Sequence, residues 1–125
     1  MRIAMAATDP RHTLAAVARG RWGEDQAVRH YRRAGFQIVA RNWRCADGEI
    51  DLIARHGDLV VICETKARRT DRFGPAAGAV GARKQQRLRR LTARWLRETG
   101  TSGVTVRFDV AAVTGVDLEI IVGAF

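Results

Sequence analysis

A chain of 125 residues, 46% of them hydrophobic, supplies one compact core, leaves no room for a second independent domain and excludes wholesale disorder. Its 22 Lys+Arg against 13 Asp+Glu give a formal net charge of +9 and a pI of about 11.3, which favours a polyanionic partner. No run approaches the length of a membrane span and the N-terminus lacks the continuous apolar region of a signal peptide, so the expected setting is cytoplasmic and reducing, with no membrane.

Residues 1–18, with Asp9-Pro10 and scattered small side chains, are expected to form a flexible tail, or in part an extension of the first helix, ahead of a domain spanning 19–125. The first helix is predicted from Gly20 to Ala34, with Ala27, Val28 and Tyr31 available for packing and Gly35 as its stop. Glu24 lies early in this helix, where the field of the helix end favours an acid. A strand over Phe36–Trp43 and a turn at Ala46-Asp47-Gly48 lead into a charged β-hairpin over 49–66. A loop follows from Arg68 to Gly78, then a second long helix from Val80 to Glu98, ending before Gly100. Two final strands, Gly103–Val113 and Val116–Val122, meet around Thr114-Gly115. The order α-β-β-β-α-β-β predicts an α/β (α+β) domain with a central mixed sheet flanked by helices.

Chemistry concentrates in the hairpin. Apolar runs at 50–54 and 59–63 flank Gly57-Asp58, a two-residue loop signal with glycine first. That loop sets Asp51 opposite Glu64 and Glu49 opposite Lys66, all on one face. Opposed Cα atoms stand roughly 4.5–5.5 Å apart, so the two carboxylates repel unless they share a cation, and a divalent metal is the economical reason for the pair. Lys66 places beside it an amine that can handle a proton or stabilise charge. Without a metal, the same residues read as a strand end reaching water with an ordinary Glu49–Lys66 pair. Glu49 either makes that pair or holds a metal-bound water.

Lys66 and Lys84 are the only two lysines of the chain; every other basic residue is arginine. Arginine suits phosphate through its planar fork, although genome base bias produces the same composition. On the second helix Arg83, Arg87, Arg90, Arg94 and Arg97 recur at steps of four and three as one basic stripe, beside an apolar stripe of Leu88, Leu91 and Trp95. Such a stripe reads either as the solvated face of an amphipathic helix or as a phosphate-contacting surface. Arg68 and Arg69, directly after Lys66, could meet a nucleic-acid backbone near the site, and Phe73 reads as packing under their loop or stacking on a base. Cys45 and Cys63 lack metal-ligand spacing, and Cys63 falls on a buried strand face as a small core residue. His12, His30 and His56 show no zinc spacing. No Gly-rich phosphate loop follows a strand, and no serine or cysteine has a base in range, so nucleotide hydrolysis and acyl transfer are poorly supported.

The stretch from Gly20 to Phe73 resembles the YraN-like family of bacterial proteins, predicted endonucleases of the PD-(D/E)xK, restriction-endonuclease-like superfamily. The similarity runs through Gly23-Glu24, Gly35-Phe36, Arg41-Asn42-Trp43-Arg44, Gly48-Glu49-Ile50-Asp51-Leu52-Ile53-Ala54, Glu64-Thr65-Lys66 and Phe73-Gly74. It continues through Arg107-Phe108-Asp109-Val110 to Ala124-Phe125. The resemblance implies a resolvase-like fold and a Mg²⁺-dependent endonuclease, with Mn²⁺ as a substitute and a 5′ phosphate on the product. Asp51, Glu64 and the Thr65 carbonyl would hold the metal, Lys66 would serve the attacking water, and Glu24 would complete the site directly, through water or with a second ion. Thr65 departs from the apolar residue usual between acid and lysine, and Cys63 is a further local departure. The expected partner is nucleic acid, DNA ahead of RNA and structured or branched DNA in particular; a homodimer is compatible. Two rival readings stand beside the nuclease: a non-catalytic nucleic-acid-binding protein using the arginine helix, and a basic adaptor for an acidic protein partner.

Overall fold

The computed structural model describes residues 10–68 and 80–125, with side chains over 20–66 and 80–125. Residues 1–9 of the expected tail, and Arg69, Phe73 and most of the loop after β3, lie outside the described residues. The elements are α1 (Pro10–Arg33), β1 (Gln37–Cys45), β2 (Gly48–His56), β3 (Leu59–Arg68), α2 (Ala82–Thr99), β4 (Thr105–Thr114) and β5 (Asp117–Ile121). Their order is the one predicted. The first helix starts well before Gly20, taking in residues that were expected to belong to the tail. Pro10 opens it, where a missing N–H costs nothing.

The sheet order is β1-β2-β3-β4-β5. Three of its pairings are antiparallel, and β3 with β4 is parallel. The chain between that parallel pair carries α2, the crossover that parallel neighbours require. Alternation along β3 separates two cores. Val61 and Cys63, with Leu52, Ala54 and Ala111, pack under Ala27, Val28 and Tyr31 of α1. Val60 and Ile62, with Ile50, Ile53, Phe108 and Val110, pack under Leu88, Leu91 and Trp95 of α2. The domain is therefore helix, sheet and helix in three layers. Cys63 sits in the first core as expected, and burial pushes its thiol pKa up to about 12, so it remains a protonated apolar filler.

The β2–β3 hairpin has the predicted register, with Leu52 paired to Cys63, Ile53 to Ile62 and His56 to Leu59 across Gly57-Asp58. Gly57 supplies the positive φ of +62° at the first loop position, and Arg55 Nε donates to its carbonyl at 2.8 Å. Outside β2, the edge strand β1 carries a bulge. Ile38 pairs with Ala54 and Ala40 with Ile53, which leaves Val39 as an extra residue.

One buried carboxylate ties three parts of the chain. Asp109 on β4 is fully buried. It accepts from the Tyr31 hydroxyl of α1 at 2.6 Å, from Arg107 Nε at 2.9 Å and a terminal guanidinium nitrogen at 3.0 Å, and from the Gly123 N–H at 3.0 Å. Four donors on two oxygens make this a satisfied buried charge. Burial, then the neighbouring Cys63 and Asp109, hold the Tyr31 hydroxyl protonated far above its ordinary range, so it stays a donor. The C-terminal residues close over the α2 side, with Ala124 N–H donating to the Phe108 carbonyl at 2.8 Å. Phe125 stacks on Phe108 at 5.0 Å beneath the Arg89 guanidinium. Tyr31→Phe should remove one of the four donors to Asp109 and destabilise the protein by about 1–3 kcal/mol. Urea denaturation measures this, and an unchanged midpoint would show that the network does not depend on the hydroxyl.

Candidate active site

The site begins where a pleat breaks. Arg41 pairs with Leu52 and Trp43 with Ile50, so Asn42 and Asp51 occupy the intervening position across β1 and β2. Asn42 is the one non-glycine residue with positive φ among the described residues, at +52°. Asparagine tolerates that region better than other side chains. Regular alternation is lost at this pair. Ile50 packs on the α2 side together with Ile53, an odd step that a continuous pleat forbids. Ala40 and Trp43 of β1 show the same odd step toward that core.

Beyond Leu52 and Cys63 the β2–β3 ladder stops, whereas β3 stays paired with β4 through Lys66↔Ala112 to Arg68↔Thr114. The strands part, and a side chain replaces the ladder. The Thr65 N–H donates to Asp51 Oδ2 at 2.9 Å. On the far face of β3, Gly23 of α1 lies against Thr65 and Val113; a Cβ there would meet the Val113 methyl at 3.2 Å and the Thr65 methyl at 3.4 Å. Gly23 thus lets α1 close directly behind the strand that carries Glu64 and Lys66.

A cavity of about 190 Å³ opens between the parted strands and α2. Asp51, Glu64, Thr65, Lys66 and Glu49 line it from the sheet, and Lys84, Arg87, Leu88 and Leu91 line it from the helix. Glu64 is buried. The Lys84 ammonium stands 2.5 Å from Glu64 Oε2, yet that oxygen receives no aligned hydrogen bond. The two groups form a close ion pair whose alignment is imperfect. Burial, then hydrogen bonding and repulsion from Glu64, push the Asp51 carboxyl up to about 7, against the opposing pull of the Thr65 N–H and Lys84. Near neutral pH and without a metal, the Asp51 carboxyl is therefore held toward its protonated form.

Three expectations need correction. Glu24 does not line the cavity. Its carboxylate accepts from Asn42 Nδ2 at 3.2 Å and lies 3.8 Å from Arg41, which itself bonds Asp25 at 2.8 Å. The reason is the layering: Glu24 rides on α1, whereas Asp51 and Glu64 turn toward α2. Glu24 acts behind the site, steadying the residue whose backbone breaks the pleat opposite Asp51. Glu49 lines the cavity but pairs with Arg44 of β1 at 2.8 Å rather than with Lys66, because β2 has already left β3. The arginine stripe is not uniform. Arg83, Arg87, Arg90 and Arg97 are exposed. Arg94 is held by Glu98 at 2.6 Å and Asp47 at 3.3 Å. The Arg68 and Arg69 side chains lie outside the described residues.

Lys84 escaped the sequence reading although two signals marked it. It is one of only two lysines, and it extends the apolar stripe of Leu88, Leu91 and Trp95 at helical spacing. A charged residue on the buried stripe needs a partner, and Glu64 is that partner.

The profile of a family described as "Uncharacterised protein family UPF0102" matches residues 23–113. A UPF0102 protein of Parafrankia sp. (strain EAN1pec) is 52% identical over 94 residues, covering 75% of this chain and 80% of the relative. One from Frankia casuarinae is 50% identical over 113 residues, covering 86% and 96%. A third, from Acidothermus cellulolyticus, is 44% identical over 123 residues, covering 86% and 93%.

The raised Asp51 pKa has a stability consequence whose sign is fixed. The folded protein binds the proton up to about pH 7, whereas an unfolded carboxyl releases it near pH 4. Between those values the native state holds more protons, so metal-free stability should fall as pH rises through that window and level off above it. Asp51→Asn should flatten the decline. Urea midpoints at pH 5 and pH 8 in chelator measure it, and parallel curves for both proteins would refute the raised Asp51 pKa.

Proposed function

Because the chain belongs to the uncharacterised protein family UPF0102, whose description names no chemistry, we propose a function from the site itself: a divalent-metal-dependent endonuclease of the PD-(D/E)xK type that hydrolyses phosphodiester bonds of nucleic acid. The observation that carries this reading is the convergence of Asp51, Glu64 and Lys66 on one cavity in a strongly basic protein.

The donor set suits a hard cation. Asp51 and Glu64 offer carboxylate oxygens, one of them a buried Glu64 oxygen with no aligned donor. Mg²⁺ is commonly held by one or two carboxylates, with waters and substrate phosphate completing its shell. Among the described residues no three His, Cys, Asp or Glu form a metal-binding group, so waters and phosphate would supply the remainder, together with the Thr65 carbonyl. The bound cation would provide Lewis acidity and a strong nucleophile at neutral pH. Lys66 orients the attacking water, takes up its proton or steadies the charge growing on the phosphoryl oxygens. Arg87 at the cavity wall, with Arg83, Arg90 and Arg97 along the same helix, binds the flanking phosphates. DNA is the favoured substrate class.

A second reading, nucleic-acid binding without catalysis, is favoured by the Lys84 contact, which neutralises Glu64, and by the commitment of Glu24 elsewhere. A cleavage screen over duplex, flap, junction and single-stranded substrates with Mg²⁺ or Mn²⁺ separates the two. Glu64→Ala should lose both metal binding and cleavage. Lys66→Ala should lower cleavage by about 10²–10⁴-fold while nucleic-acid affinity stays near that of the parent. Lys66→Arg keeps the charge but not a removable proton, so full activity in that variant would assign Lys66 an electrostatic role only. If all three variants cleave like the parent, the site assignment fails.

Binding gives a separate test. Affinity for duplex DNA should fall steeply with salt, each phosphate contact contributing a log–log slope of about −0.9. Replacing Arg83, Arg90 and Arg97 together by glutamine should flatten that slope, as measured by fluorescence anisotropy. An unchanged slope would place the binding surface away from α2.

A further inference from the structure

We propose that Lys84 is a displaceable counter-cation: its ammonium balances the Asp51–Glu64 carboxylates in the metal-free protein and is expelled toward the cavity mouth when a divalent cation enters. The inference rests on the metal-site reading above and adds to it a built-in competitor that links metal entry to the capture of a phosphate.

Four observations support it. The first is position. Lys84 lies in the first turn of α2, which begins at Ala82 and carries no acidic residue there. A cation at a helix N-terminus has the wrong sign for the helix dipole, so the local helix disfavours it. Glu64 is what holds it in place.

The second is the quality of the contact. Charges 2.5 Å apart with no aligned hydrogen bond on Glu64 Oε2 attract strongly but are geometrically unspecific. The third is asymmetry of burial. The Glu64 side chain is 5% exposed and that of Lys84 49% exposed. The acid is fixed in the wall, whereas the lysine reaches in from solvent on a flexible stem and has an open way back. A divalent cation on the carboxylates would stand within a few ångströms of the ammonium and repel it.

The fourth is residue choice. A chain that uses arginine almost everywhere keeps lysine at only two positions, and both line this one cavity. Guanidinium would clamp a carboxylate through two parallel bonds, whereas an ammonium is a single point charge that releases more readily. Once released, Lys84 lies beside Lys66 and Arg87, where phosphate oxygens are the natural acceptors. Metal and nucleic acid then favour the same expelled state, so each should strengthen the binding of the other.

The two-lysine composition makes a direct test possible. In full-length protein labelled with ¹⁵N,¹³C-lysine, two sets of side-chain signals are expected, assigned with Lys66→Arg and Lys84→Arg. Saturating Mg²⁺ should move the Lys84 Cε and Nζ signals to solvent-like values. In parallel, Mn²⁺ alone is titrated at pH 8, with free Mn²⁺ read by electron paramagnetic resonance. Lys84→Met should bind Mn²⁺ at least about tenfold more tightly, because the entering cation no longer competes with a neighbouring positive charge. Lys84→Arg should bind no more tightly than the parent. If the parent binds Mn²⁺ in a Glu64-dependent way but the Lys84 signals do not move and Lys84→Met gains nothing, the counter-cation proposal is overturned and the metal site stands. If Mn²⁺ binding is absent, or is unchanged in Glu64→Ala, the metal-site reading falls and the proposal falls with it.

Discussion

The site depends on the break in the pleat at Asn42 and Asp51. A regular β1–β2 ribbon running unbroken beside β3 would give every backbone group a ladder partner and leave no opening between the strands. Instead Asn42 takes a positive φ, alternation is lost across both strands, and β2 separates from β3 while β4 keeps β3 straight. Asp51 then satisfies the Thr65 N–H that the ladder abandons. One carboxylate therefore replaces a missing ladder contact and also faces Glu64. The local cost of the irregular backbone is offset by Glu24, which binds Asn42 from α1, and by two cores that grip the sheet from both faces.

Much of this arrangement was legible in the residues. The glycine-first loop at Gly57-Asp58 determined the parity of the hairpin, and parity alone brought Asp51 to Glu64. The second helix was readable because its apolar positions repeat at helical spacing and Gly100, at φ +65°, provides a left-handed stop. Other features were hidden for physical reasons. Facing inferred from alternation is only as good as the pleat, and a single left-handed asparagine inverts it. Glu49 met Arg44, its partner across β1, because the β2–β3 ladder ends before Lys66. Glu24 could be placed on a helix but not on a layer, since position in a helix does not reveal which side of a sheet the helix covers. The start of α1 was missed because small residues and one proline look like tail when no apolar stripe marks them.

Charge is distributed with more discrimination than composition conveys. Arg94 spans Asp47 and Glu98, Arg107 serves the buried Asp109, and Arg89 lies over the Phe108 and Phe125 rings. These three arginines brace the fold. The arginines left exposed on α2 repel one another by a few tenths of a kcal/mol per neighbouring pair, a cost that a polyanion lying along the helix would remove. Arg89 and Arg94 thus share α2 with the exposed arginines, whereas Arg107 acts from β4.

The bulge at Val39 has a consequence for the life of this protein in a crowded solution. An outer strand with a complete row of free amides is a template on which another strand can add. The extra residue interrupts that row in mid-strand and increases its local twist. Arg41 and Arg44, ion-paired to Asp25 and Glu49, bring charged side chains to the same strand, and an incoming copy would meet irregular spacing and charged groups together. The β1 border of the sheet is in this way discouraged from adding a further strand.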